Sequence, residues 1–153
     1  MQDFYEGTYK SLESVIDKIR RYKKLHLSFP GKSGHPDSLV EGFMKFCRDY
    51  SISSLIDDSL ENVEIIKEHA YLVIDDADLI KLLKVCKLRC WKPGLDVGVI
   101  SYNETPLKEV IRDGITVISC SFKEMAAEMA SYIKDKKAVN KTITINMINR
   151  NSL

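Results

Sequence analysis

Tyr102, Asn103, Glu104 and Thr105 follow directly on the apolar run VGVIS, and Pro106 closes them. Four consecutive side chains able to hydrogen-bond at the end of a buried strand call for a chemical reason. Amides and carboxylates can each bridge two neighbouring hydroxyls, and an aromatic ring can cover an apolar sugar face. The cluster therefore suits a small polyhydroxylated ligand. Comparable groups follow the other apolar runs: Gly31 to His35 after LHLSF, Asp75 and Asp76 after YLVI, and Ser119 to Ser121 after ITVI. A plainer reading stands beside this one, because Asp75, Asp76, Thr105 and Ser121 are all of the types that cap helices. Asn103 is harder to assign to capping, since Thr105 and Pro106 already form an N-cap and first-turn pair.

Other chemistries fit less well. PGKSG at Pro30 to Gly34 resembles the tail of a phosphate-binding loop, but His26 stands where the motif needs its first glycine. VIDD at Val73 to Asp76 could belong to a receiver-like, phospho-accepting signalling domain holding magnesium. This is the alternative reading, although no lysine ends the ITVIS strand to meet a phosphoryl group. There is no GxSxG elbow and no glycine-rich dinucleotide fingerprint. Asp75 and Asp76 are sequence neighbours whose side chains diverge, which suits capping better than acid and base work. The expectation is a binding module with no catalytic residues, no cofactor and no metal, since His26, His35 and His69 are scattered without zinc-ligand spacing.

The totals bound the class. A chain of 153 residues, 44% hydrophobic, is one domain with a sizeable core. Its 23 basic and 22 acidic residues nearly cancel, and no basic run exceeds RRYKK, so these residues carry no electrostatic footprint for nucleic acid. Cys47, Cys86, Cys90 and Cys120 lie in apolar segments without CxxC pairing and read as core thiols of a reducing, cytoplasmic protein. No apolar run reaches the roughly 20 residues of a membrane span. The start, MQDFYEG, enters a helical pattern at once and has the character of a piece cut from a longer chain.

The elements that must position these groups alternate. Leu12, Val15, Ile16, Ile19 and Tyr22 recur at helical spacing, and Leu25 to Phe29 reads as a strand ended by Pro30 and Gly31. Pro36 opens a helix to about Tyr50 with Leu39, Val40, Phe43, Met44 and Cys47 on one face. SISSLID from Ser51 is a weaker strand. Tyr71 to Asp75 is a strand, and Leu79, Leu82, Leu83 and Cys86 mark a helix whose start carries Asp75, Asp76 and Asp78. Lys92 to Asp96 turns, Val97 to Tyr102 is a strand, and a short helix from Thr105 closes at Gly114. Ile115 to Ser119 is a strand, Ser121 and Glu124 open a helix to about Lys136, and Thr142 to Ile148 alternates like a half-buried strand. Strands apolar on both faces, alternating with helices, predict an α/β fold with a parallel sheet and helices on both faces. Ligands of such sheets sit beyond the strands' carboxyl ends, near a topological switch point.

AYLVIDDADL, KPGLDVGVISYNETP, ITVISCSFKEMAAEMASYI and INRNSL resemble, in order and spacing, the second half of the effector-binding core of LacI-type transcriptional repressors. That core also occurs behind the winged-helix heads of some GntR-type regulators. The resemblance spans Ala70 to Leu153, and more loosely Gln2 to Tyr50. It implies one lobe of a type I periplasmic-binding-protein-like fold: residues 1–153 as an effector-binding C-terminal lobe, with about 122–145 packing on a first lobe that these residues do not include. The strand from Thr142 would return to that first lobe as well. The implied function is effector sensing, with a sugar or sugar derivative as ligand, in a dimeric bacterial regulator whose DNA-binding head lies elsewhere.

By the same resemblance Asp75 matches a ligand-contacting residue of an AND-like motif, and Asn103 matches an Asp that holds sugar hydroxyls. Phe122 matches an aromatic near the hinge. The arginine usually found three residues before a Gly-Phe pair is Leu39 here, since the pair is Gly42 and Phe43. A leucine cannot make bidentate hydrogen bonds, so the usual clamp is either absent or replaced by Lys32, His35 or Asp37 nearby. The homodimer interface is implied at Leu79, Leu82, Leu83, Cys86, Pro106 and Leu107. The helix stripe Phe122, Met125, Met129 and Ile133, parted from its lobe, is expected to fold back or pair with a second copy.

Overall fold

The structure is a computed structural model and describes residues 3–31, 34–120, 125–127, 129, 130, 133 and 144–153. Helix α1 runs Phe4–Glu13, with Asp3 as N-cap accepting from the Glu6 amide at 3.0 Å. The helical spacing of the first segment continues past it, but Val15 takes a non-helical conformation and the chain restarts as the single turn α2, Ile16–Ile19. Strand β1 (Lys24–Ser28) and helix α3 (Ser38–Asp49) follow, then β2 (Ser54–Asp57), β3 (His69–Val73) and α4 (Asp76–Leu88). Strand β4 (Gly98–Tyr102), the short α5 (Pro106–Val110) with a 3-10 turn at Ile111–Asp113, β5 (Thr116–Cys120) and β6 (Ile145–Ile148) complete the order.

These strands form one sheet in the order β2-β1-β3-β4-β5-β6. The first five are parallel, and β6 runs antiparallel along β5, with Val117 opposite Ile148. The alternation of strand and helix dictated this arrangement, because parallel neighbours need a crossover and the crossovers cover both faces. One correction concerns the last strand. Expected to return to another lobe, Ile145–Ile148 instead closes this sheet, and buried Ile145 packs into the core under α1. Of the 122–145 segment only residues 125–127, 129, 130, 133, 144 and 145 are described: Met125 packs against the core under α1, and Met129 and Ile133 are exposed.

The central strands β1, β3, β4 and β5 are buried on both sides. On one face Leu25, Leu27, Leu72, Ile100 and Ile118 pack with Leu12, Ile19, Leu39, Phe43 and Phe46 from α1, α2 and α3. On the other Tyr71, Val73, Val99 and Val117 pack with Leu79, Leu82 and Cys86 from α4 and with Leu60 and Ile65 of the loop before β3. Each large side chain so buried is worth about 1.5–3 kcal/mol against leaving it in water, which is why these positions, not propensity, fix the helices. Helices α1 and α3 touch closely at Gly42, where any added Cβ would collide with the Tyr5 carbonyl. Of the four cysteines, Cys47, Cys86 and Cys120 are core residues as expected. Cys90 is not: it is exposed just past the end of α4, in a left-handed conformation at φ 55°.

The tail after β6 finishes the sheet. Strands β4 and β5 pair only from Ile100 and Thr116 onward. Ahead of that point Ser152 takes the partner's place: its carbonyl accepts from the Val99 amide at 2.7 Å, and its hydroxyl accepts from the Thr116 amide at 2.8 Å. The same hydroxyl donates to the Val99 carbonyl at 2.6 Å.

Candidate functional site

Strand β1 sends its crossover helix α3 to one face, and β3 sends α4 to the other. The order therefore reverses between β1 and β3, and at their carboxyl ends a crevice must open. A cavity of about 350 Å³ lies there, lined by His35, Ile74, Asp75, Asp76, Tyr102, Asn103, Thr105 and Lys108. A larger hollow of about 430 Å³ lies around Trp91, Arg112 and Asn151, at the strands' amino ends. The carboxyl-end cavity is the better candidate, because it gathers the polar residues that follow β3 and β4.

Asp75 is the N-cap of α4, its Oδ1 accepting from the Ala77 amide at 2.9 Å. Capping and facing the cavity are not exclusive, since the second carboxylate oxygen stays available. Asp76 sits one position on and is 65% exposed, its Oδ1 2.8 Å from Lys108 Nζ. Asp78 belongs with neither. Expected to act at the helix start, it is buried and accepts from the Ser28 hydroxyl, from the Ser59 hydroxyl at 3.1 Å and from the Leu60 amide at 3.0 Å. It ties the loop after β2 to β1.

The turn after β4 explains its own composition. Asn103 is left-handed at φ 60°, a conformation in which Asn, Asp and Gly are the least strained residues. Its amide donates to the Ile118 carbonyl at 2.8 Å, which leaves the side chain at the cavity wall. Glu104 faces elsewhere: its Oε1 accepts from the Thr105 amide at 2.9 Å, and its Oε2 lies 2.5 Å from the Arg150 guanidinium. Thr105 caps α5, accepting from the Lys108 amide at 3.4 Å, with Pro106 in the first turn. The ring of Tyr102 edges the cavity, while its hydroxyl lies among Thr8 and Cys120, and burial raises its pKa well above the usual phenol range.

Lys108 is the residue that sequence reasoning missed. It looks like a surface lysine, yet its side chain is 5% exposed. Its ammonium donates to the Tyr102 carbonyl at 2.9 Å and the Asn103 carbonyl at 3.0 Å, beside Asp76. The signal was present but indirect: a left-handed turn closing a buried strand leaves carbonyls that need a donor.

His35 comes from the β1 to α3 connection, its ring edge-on to Tyr102 at 5.0 Å and to Phe4 at 6.0 Å between centroids. Burial lowers its pKa below the usual imidazole value. Lys32 and Phe122, the other two expected ligand contacts, lie outside the described residues. Asp37 precedes α3 and is exposed, away from the cavity lining. Leu39, at the position of the missing arginine, is fully buried in the core and is not among the residues lining the cavity.

The expected dimer contacts divide. Leu79, Leu82 and Cys86 face the sheet and are buried, a correction forced by the need of one α4 face to cover β3 and β4. Leu83 packs against the same cluster. Pro106 and Leu107 are exposed, Leu107 at 64%, and Ile80 and Leu88 of α4 are exposed beside them in character.

No protein-family model matches the chain. No curated protein matches it either. Solved structures do. A sugar-binding transcriptional regulator of the LacI family from Escherichia coli, complexed with phosphate, superposes with a TM-score of 0.76 at 16% identity, over 99% of this chain and 62% of that one. The Escherichia coli transcriptional repressor ascG gives 0.76 at 14%, over 99% and 62%. A periplasmic binding protein/LacI transcriptional regulator from Alkaliphilus metalliredigens, complexed with D-xylulofuranose, gives 0.72 at 16%, over 99% and 64%. The fold is that of one lobe of a periplasmic-binding-protein-like domain. The chain spans less than two thirds of the length of each of these proteins.

Proposed function

We propose that the chain is the effector-binding lobe of a bacterial transcriptional regulator of LacI type, or of a GntR-type regulator sharing that core, with DNA contacted through a head domain outside these 153 residues. One observation carries the reading: Asp75 and Asn103, which follow the carboxyl ends of two different strands, line a single cavity at the switch point of a fold shared with sugar-binding regulators. The ligand class is a sugar or sugar derivative. Binding would act by favouring one of two arrangements of the intact regulator, in proportion to its differential affinity for them. The cytoplasm is the matching location. Among the described residues no helix is long and apolar enough to cross a membrane.

The receiver-like alternative draws less support. Strand β1 ends on Ser28, Phe29 and Pro30, not on acids that could share magnesium with Asp75, and Asp76 is paired with Lys108.

The test is calorimetric titration of simple sugars into the chain and into Asn103→Gly. Glycine keeps the left-handed turn and removes only the amide, so the fold is preserved. Binding to the parent chain that weakens in Asn103→Gly is the expected result; binding indifferent to that change would displace the site. Dimerisation is proposed at Pro106 and Leu107, and a monomer by light scattering at high concentration would count against it.

A further inference from the structure

This inference rests on the effector-site reading and narrows its ligand. Among the described residues lining the cavity, Lys108 is the one lysine or arginine. An ammonium has three donors and no acceptor, and here all three are engaged, by the Tyr102 carbonyl at 2.9 Å, the Asn103 carbonyl at 3.0 Å and Asp76 Oδ1 at 2.8 Å. None is left for a ligand. Besides Lys108, the polar side chains lining the cavity include His35, Asp75, Asp76, Asn103 and Thr105, with one oxygen of Asp75 and one of Asp76 already engaged. The two carboxylates only accept. The amino end of α4, which would otherwise favour an anion, already carries Asp75 and Asp76. A phosphate ester brings acceptors alone. It could recruit Lys108 only by displacing Asp76 or one of the two carbonyls that hold the Asn103 turn.

We infer that this face of the site accepts uncharged or amine-bearing polyols and rejects their phosphate esters, with Lys108 holding the turn and not the ligand. The experiment is calorimetry on the chain with paired probes: glucose and glucose 6-phosphate, ribose and ribose 5-phosphate, and glucosamine. A free sugar or glucosamine should bind about tenfold or more tightly than the phosphorylated partner, the scale of one charged hydrogen bond. Asp76→Asn, which relieves the negative charge and loosens the hold on Lys108, should narrow that ratio. An ester that binds more tightly than its parent, and loses binding in Lys108→Met or Lys32→Ala, overturns the inference while leaving the site where it is. If none of the five probes binds, the effector-site reading falls, and this narrowing falls with it.

Discussion

His26 Nε2 lies 3.0 Å from His69 Nδ1. The ring centroids are 5.2 Å apart and the planes 27° from parallel, so the two nitrogens lie nearly on the line joining the rings. That is an in-plane hydrogen bond between neighbouring strands, not a face-to-face stack. Two lone pairs aimed along one line leave no apex for a metal ion, so the pair shares a proton. The face of His26 is taken by Tyr71, at 4.6 Å, and its Nδ1 is 3.5 Å from Asp57 Oδ2. The bond thus links β1 to β3 and, through Asp57, to β2.

The pair makes stability depend on pH. Burial lowers both pKa values below the usual 6.5, for His69 with help from His26, Lys24 and Lys23. Asp57 and Glu68 oppose the shifts without reversing them. The unfolded chain therefore binds more protons than the folded one as pH falls through the histidine range. Stability is complete above about 6.5 and is lost below it, because a second proton would set one N–H against another. Urea unfolding between pH 7.5 and 5 should show the decline, and His69→Gln should flatten it. Parallel slopes in the two proteins would remove the pair from the account.

Asp78 gives a second prediction. Its carboxylate holds the buried amide of Leu60 and two serine hydroxyls, and removing it strands a buried donor. Asp78→Ala should cost about 3 kcal/mol, seen as a lower urea midpoint. Asp78→Asn, which keeps one acceptor, should cost less. Equal loss in both would mean that charge, not the hydrogen-bond geometry, is what matters.

The fold was largely legible because its signals are local. Apolar strand runs, the Thr105 and Pro106 pair, and the Asp75 cap each act within a few residues, and the observed bounds differ from expectation by little. What was not legible depends on register. His26 and His69 are distant in sequence and meet only because His26 pairs with Tyr71, whose side chain shares a face with His69 two positions earlier. Asp78 reads as a third acid in a capping run until α4 is turned to face β1. Lys108 reads as solvated until α5 folds back over the carbonyls of Tyr102 and Asn103. Each is a polar residue whose partner lies on another element.

Leu39 tests the departure from the usual arginine. The residue is fully buried beside Phe43 and Phe46, and Gly42 next to it fixes how closely α3 meets α1. Leu39→Ala should cost about 3 kcal/mol. Leu39→Arg should cost at least as much, since it buries an unpaired charge, and should bring no gain in sugar binding. A folded Leu39→Arg protein with tighter calorimetric binding would show that this position can reach the ligand after all.

Glu104 and Arg150 carry the last prediction, since they tie the candidate site to the tail. The pair is 2.5 Å apart, with the Arg150 side chain 17% and the Glu104 side chain 24% exposed. Arg150 also donates to the Ile115 carbonyl at 2.9 Å, and its amide donates to the Thr116 hydroxyl at 3.0 Å. Glu104 in turn receives the Thr105 amide, so the tail steadies the start of α5 and, through Lys108, the Asn103 turn. A double-mutant cycle of Glu104→Ala and Arg150→Ala should give a coupling of about 1–2 kcal/mol, above the value of an exposed pair. Both single changes should also weaken sugar binding, although neither residue lines the cavity. Coupling without any effect on binding would confine the pair to holding the tail, and the Asn103 turn would then stand on Lys108 and the Ile118 carbonyl.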